Sequence, residues 1–272
     1  MSTKVYSRRK LLEMIASASG IFLSGVNPTR AQYKNRVPVR SITVDAKPEA
    51  ILIDLARTAV VVVDMQNDFG AEGGMFHRAG VDISMIRAAV APTARVLDAA
   101  RKAGIKIIYL KMGFKPDLSD AGASDSPILY RALKKFKFGA RVKAPNGANS
   151  RIFIKDTWNT DILSELTPKA QDIILYKHRF SGFFQTELDS TLRRLNVVNL
   201  IFTGCTTSVC VESTIRDARF RDYAAVVLAD CTGEPVGSEF PRSNHEASLF
   251  LIQSTFGWVS SSHDLISGLE ST

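Results

Sequence analysis

Cysteine, histidine and tryptophan are scarce in this chain, with three, four and two among 272 residues. Cys205, Cys210 and Cys231 make an odd number, and a chain this long can bury a full core without disulfides. The ordinary role of each is a small buried apolar side chain. His77, His178, His245 and His263 stand at no metal-ligating spacing. No Gly-x-Ser-x-Gly turn occurs, which sets aside serine hydrolases built on that elbow. Internal repeats and low-complexity tracts are missing, and no apolar run reaches the roughly 20 residues of a membrane-crossing helix. The formal charge of +8 looks basic, but half of the excess falls in residues 1–32, with Lys4, Arg8, Arg9, Lys10 and Arg30 against Glu13. The remainder is spread thinly, whereas nucleic-acid binding needs a dense basic face, so no nucleic-acid or membrane partner is expected.

What is there begins with a leader. Ser7-Arg8-Arg9-Lys10-Leu11-Leu12 pairs two arginines ahead of a short, weakly apolar stretch over 14–24. Thr29-Arg30-Ala31 then offers small residues at the first and third positions. The pattern resembles a twin-arginine export signal, which implies cleavage near Gln32 and a periplasmic protein. The alternative is a cytoplasmic protein whose leader is only a basic extension.

Past the leader, β-branched runs alternate with amphipathic stretches. Strands are expected at 59–63, 105–110, 172–176, 198–202, 224–228 and 255–259. Helices are expected at 90–103, 157–166, 188–195, 209–222 and 243–252. Pro92 suits a first helical turn, and Gly104 a C-cap. Strands without polar alternation are buried on both faces, and helical connections imply parallel order. The expected fold class is α/β, a three-layer α/β/α sandwich with a mainly parallel sheet of about six strands. Residues 113–150, rich in Gly, Ser, Lys and Pro, read as a long irregular insertion of the kind that covers a site. Ligands of such sheets sit at the carboxyl ends of the strands, so residues ending each strand are the first suspects.

Three polar residues meet that criterion. Asp64 follows four valines, where burial raises a carboxyl pKa and suits it to proton transfer; the plain alternative is a turn or N-cap aspartate. Lys177 ends the third strand, where it can hold a carboxylate or thiolate ionised or sit in a solvated turn. Cys210 falls in the first turn of the helix expected from about Val209. A helix N-terminus lowers a thiol pKa and presents free N–H groups to an oxyanion, the alternative being a core cysteine. Asn67, Phe69, Trp158, Phe183 and Phe184 are candidate substrate contacts, although aromatics more often serve the core.

Three blocks carry a resemblance. They are Val62-Val63-Asp64-Met65-Gln66-Asn67-Asp68-Phe69, then Lys177-His178-Arg179-Phe180-Ser181-Gly182-Phe183-Phe184, then Thr206-Thr207-Ser208-Val209-Cys210-Val211-Glu212-Ser213-Thr214. In this order they resemble the isochorismatase-like cysteine hydrolases. Lys47-Pro48-Glu49-Ala50, Arg179-Phe180-Ser181-Gly182-Phe183-Phe184, Val227-Leu228-Ala229-Asp230 and Phe256-Gly257-Trp258-Val259 carry the narrower resemblance to ureidoacrylate amidohydrolases and biuret-type hydrolases. The resemblance implies a catalytic triad of Asp64, Lys177 and Cys210. It also implies a cis peptide at Cys205–Thr206 and an oxyanion hole from the backbone N–H groups of Thr206 and Cys210. Some relatives bind a metal through histidines after the second strand. Here Lys111-Met112-Gly113-Phe114-Lys115-Pro116 has none, so no metal and no cofactor are expected.

The expected organisation is a leader over 1–31, a linker over 32–47 and one hydrolase domain over 48–268, assembled as a homo-oligomer. The expected chemistry is two-step acyl transfer through a thioester, cleaving the C–N bond of a small amide or ureide. Vinyl-ether hydrolysis is the alternative within the family. A redox or binding role for Cys205 and Cys210 is the alternative outside it, although their spacing is not Cys-x-x-Cys.

Overall fold

The computed structural model describes residues 40–239 and 241–271; the leader over 1–31 and the first part of the expected linker lie outside them. The valine run forms β3 (Thr58–Val63), and every one of its residues is buried. Alternate side chains serve two different cores. Val60 and Val62 pack with Val96 and Leu97 of α1 (Val90–Lys102) and with Leu265 and Leu269 of α6 (Ser262–Glu270). Ala59, Val61 and Val63 pack with Leu188 and Leu192 of α3 (Leu188–Arg194) and with Ile215 and Ala218 of α4 (Glu212–Arg219). Fully burying one such aliphatic side chain contributes about 1.5–3 kcal/mol, so a strand covered on both sides has no use for polar alternation.

β4 (Lys106–Met112), β7 (Ile173–Lys177), β8 (Asn199–Cys205), β9 (Ala224–Gly233) and β10 (Trp258–Ser260) complete a six-stranded sheet in the order β10-β9-β8-β3-β4-β7. Every pairing in it is parallel. The chain moves from β3 outward through β4 to β7, then returns to β8 on the other side of β3. The strand order therefore reverses between β3 and β8, and the crevice belongs at their carboxyl ends.

Several expectations need correction. The stretch read as a linker over 32–47 contains β1 (Ser41–Val44), which pairs antiparallel with β2 (Ile51–Asp54). Ile42, Val44, Ile51 and Ile53 alternate inward and reach the core, so ordered structure begins ahead of residue 48. At the other end α6 runs to Glu270.

Residues 113–150 are not irregular throughout. Ser126 caps α2 (Pro127–Phe136) by accepting from the Leu129 N–H, and Pro127 opens the helix. Asn146-Gly147 turns the hairpin of β5 (Arg141–Lys143) and β6 (Asn149–Arg151). The helix expected over 157–166 is instead two separate 3-10 turns, Trp158–Thr160 and Ser164–Leu166. Between them Ile162 bridges to Gln66 and the Leu163 N–H donates to the Met65 carbonyl, so long-range pairing takes the backbone groups a helix would use. The last strand starts at Trp258 rather than 255, because Ile252–Phe256 prolongs α5 (Asn244–Leu251) as a π-helical turn.

Candidate active site

β3 ends at Val63, and Asp64 turns away with φ 54, a left-handed conformation that aspartate tolerates better than most residues. The adjacent strand makes room for that turn. Gly204 has φ +116, and a Cβ there would lie 1.9 Å from the Val63 carbonyl oxygen, so only glycine lets β8 press this close to β3. The Cys205 thiol accordingly reaches the Asp64 carbonyl oxygen at 3.2 Å.

From the far side of β4, Lys177 extends its side chain under the crevice. Its ammonium stands 2.7 Å from Asp64 Oδ2, and both side chains are fully buried. The same ammonium donates to the Arg179 carbonyl at 3.3 Å and lies 3.7 Å from the Met112 sulfur. Gln66, also buried, holds the end of β4 in place. Its amide accepts from the Met112 N–H at 2.8 Å and donates to the Met112 carbonyl at 2.9 Å.

Cys210 arrives from β8 through a cis peptide at Cys205–Thr206. It sits not in an α-helix but in a π-helical turn, Thr207–Val211, that leads into α4. The Val209 and Val211 N–H groups both donate to the Thr206 carbonyl at 3.2 Å. Downstream, the Thr214 hydroxyl donates to the Cys210 carbonyl at 2.6 Å.

Burial dominates the electrostatics. It pushes the Asp64 carboxyl up from the usual range, against the opposing pull of Lys177 and hydrogen bonding from Cys210. For Lys177, burial works to lower the pKa, but the charges of Asp64 and Cys210 outweigh it and the ammonium is held above its ordinary value. The Cys210 thiol is pushed up to about 12, chiefly by burial, with Lys177 favouring the thiolate and Asp64 opposing it. This reverses the lowered pKa expected for a helix N-terminus. Cys210 is only 4% exposed, and desolvating the thiolate outweighs the turn's free N–H groups. Cys210 therefore rests as a thiol beside the Asp64 carboxyl.

The structure thus gathers Asp64, Lys177 and Cys210 at the carboxyl end of the sheet, with Thr206 opening the turn. The five candidate substrate contacts do not join them as a set. Phe69 packs in the core against Phe76 and Phe153, with ring centroids 5.1 and 5.3 Å away. Phe183 stacks on Tyr223 at 5.9 Å, in the core cluster that also holds Cys210. Phe184 is 45% exposed beside His178 and Arg179. The Asn67 amide donates to the Trp158 carbonyl at 2.7 Å, and both residues line an open cleft of about 740 Å³ with Glu72 and Arg87. Gln66 was missed, as were Asp68, Glu234 and His245. A polar run directly after a buried strand was the available signal for Gln66 and Asp68; nothing local marks the other two. Among the described residues no group of three or more His, Cys, Asp or Glu is arranged to hold a metal ion.

Comparison with known proteins gives this geometry its family. The isochorismatase domain model matches residues 58–264. The chain belongs to the isochorismatase family. A ureidoacrylate amidohydrolase, RutB, of Serratia proteamaculans is 41% identical over 222 residues, covering 81% of this chain and 86% of that protein. The RutB of Agrobacterium fabrum is 40% identical, covering 82% of this chain and 94% of that protein. Among solved structures, a cysteine hydrolase from Pseudomonas syringae pv. phaseolicola superposes with TM-score 0.66 at 29% identity, covering 80% of this chain and 95% of that one. The matched region holds the whole six-stranded sheet and all three buried site residues.

Proposed function

We propose that this protein is a cysteine amidohydrolase that cleaves the C–N bond of a small ureido compound and releases ammonia. The observation that carries the reading is the fully buried Asp64–Lys177 pair, 2.7 Å apart, coupled to the Cys210 thiol at the sheet's carboxyl edge. An ion pair with no solvent access is costly to build, and it is best explained by chemistry that needs both charges. The two RutB relatives, named as ureidoacrylate amidohydrolases, supply the substrate class.

The reaction runs in two steps. As the Cys210 sulfur attacks the ureido carbonyl carbon, its proton passes to Asp64, which burial makes more basic than an ordinary aspartate. Because the thiol resists ionisation, proton transfer and S–C bond formation belong to one event. Lys177 keeps its positive charge and offsets the negative charge passing between sulfur and carboxylate. The oxyanion is received by the backbone N–H groups of Thr206 and Cys210. When the tetrahedral centre collapses, Asp64 returns the proton to the departing nitrogen and ammonia leaves. Water activated by Asp64 then cleaves the S-acyl intermediate and frees a carbamate.

The test is ammonia release by the purified protein across ureidoacrylate, biuret, N-carbamoyl acids, nicotinamide and simple amides. Turnover is expected on ureido compounds, with the S-acyl adduct on Cys210 trapped by acid quench and seen by mass. Ammonia release without any adduct would end the thioester mechanism. Turnover of nicotinamide alone would end the ureido assignment.

A further inference from the structure

The turn that carries Cys210 is five residues long, and no side chain of its own caps it. Such a short piece does not hold its shape alone, since local hydrogen bonds barely offset the cost of ordering one turn. Two side chains from elsewhere grip it. Glu234 follows directly on β9 and is 1% exposed. Through Oε2 it accepts from the Ser208 N–H at 3.0 Å and from the Ser208 hydroxyl at 2.5 Å. Through Oε1 it accepts from the Val236 N–H at 3.1 Å. On the other flank, Nδ1 of His245, from the first turn of α5, lies 2.9 Å from the Thr207 hydroxyl. Among the hydrogen bonds of the described residues, neither side chain reaches Asp64, Lys177 or Cys210.

We propose that Glu234 and His245 are positioning residues, a two-point brace that fixes the nucleophile turn so that the Cys210 sulfur and the backbone N–H groups of Thr206 and Cys210 meet the carbonyl together. The proposal rests on the reading of Cys210 as the nucleophile of an amidohydrolase. A buried carboxylate is a costly way to satisfy ordinary donors, and its advantage is strength, because charge-assisted hydrogen bonds are about twice as strong as neutral ones. By engaging the Ser208 N–H, Glu234 also decides which amides of the turn remain for the oxyanion. It works through geometry rather than ionisation, for the leading influences on the Cys210 thiol are burial, Lys177 and Asp64. Displacing a reacting group by one ångström costs about a hundredfold in rate, so a slack turn is felt in kcat before it is felt in binding.

The experiment compares Glu234→Gln with wild type in the full-length chain, by two readouts. Hydrogen–deuterium exchange read by mass needs no substrate. Peptides covering 206–211 should exchange about tenfold faster in the variant while the central strands are unchanged. Steady-state kinetics should show kcat lower by about tenfold to a hundredfold, with KM and both limbs of the pH profile unmoved. Unchanged exchange, faster exchange with unchanged kcat, or a loss that falls on KM would each overturn the brace. If Glu234→Gln does not fold, Thr207→Val cuts the His245 contact at nearly constant shape and is judged by the same two readouts. A wild-type protein that releases ammonia from no ureide would remove the amidohydrolase reading, while the exchange result would still decide whether the turn is braced.

Discussion

Asp64 and Asp68 lie one helical turn apart in sequence, and both are fully buried. Burial pushes both carboxyls up, Asp68 to about 7. Their surroundings differ in kind. Around Asp68 three donors are fixed in place. Oδ1 accepts from the Met75 N–H at 3.0 Å and from the Asn159 amide, and Oδ2 accepts from the Phe153 N–H at 2.7 Å. Those donors come from the segment after β3 and from the 113–160 region, so Asp68 ties the two together. Asp64 is met instead by the Lys177 ammonium, 2.7 Å from Oδ2, and by the Cys210 thiol. A carboxylate met on both oxygens by fixed amide donors is a tether. One met by an ammonium and by a thiol with a proton to give can serve as the base of the proposed mechanism.

The sharpest way to break this contrast is to neutralise each acid at constant shape. Asp64→Asn should cut kcat/KM by about 10²–10⁴-fold, the usual range for loss of a general base, and should lower Tm as well, because the buried Lys177 ammonium loses its counter-charge. Cys210→Ala, which leaves the Asp64–Lys177 pair whole, should abolish turnover with little change in Tm. Asp68→Asn should do the reverse, leaving kcat within a few-fold while lowering Tm, because one of its oxygens becomes a donor facing donors. Steady-state assays and calorimetry on the three variants decide it. An Asp68→Asn variant as dead as Asp64→Asn would show that the distinction is misplaced.

A smaller effect concerns the partner of Asp64. Lys177→Met leaves a buried carboxylate without its cation, and breaking such a pair from one side costs about 3–5 kcal/mol. Asp64 has an escape in taking up a proton, so the cost should fall as pH is lowered. Adding Asp64→Asn to Lys177→Met should recover most of the loss, since no orphan charge then remains. Urea unfolding of the two single variants and the double variant measures this. A double variant no more stable than Lys177→Met alone would mean that the lysine matters for packing rather than charge.

How much of this was legible follows the same division between local and tertiary causes. The run Thr58–Val63 announced a strand buried on both faces, and its lack of alternation was information in itself. Asp64, Lys177 and Cys210 stood out because each breaks an apolar context near a strand end. Two features were legible but overlooked, Ser126-Pro127 as a helix start and Asn146-Gly147 as a hairpin turn. The pair β1 and β2 was harder, since four residues each give only two inward positions to recognise. The pKa direction of Cys210 was out of reach, because it depends on what Val211, Ile215 and the β8 side chains exclude from the site rather than on the turn's own amides. Glu234 and His245 were out of reach for a related reason: their partners on the nucleophile turn are distant in sequence.

The smallest expected effect is a matter of pH. The Asp68 pKa is raised from 3.8 to about 7 in the folded protein, with burial the largest cause. A carboxyl whose folded pKa exceeds its unfolded value binds its proton more tightly when folded. Its favourable contribution is complete below about pH 4 and is lost as pH rises through about 7. The amide that Asp68→Asn introduces cannot titrate, so the variant lacks that slope. The wild-type protein should therefore exceed Asp68→Asn in Tm by most at pH 5, and the gap should narrow steadily by pH 8. The comparison isolates Asp68, because Asp64, Cys210 and every surface carboxyl titrate alike in both proteins. Scanning calorimetry across that range measures the gap. A gap that widens with pH would mean that the three donors outweigh burial, hold Asp68 ionised throughout, and make it a stronger anchor than its burial allows.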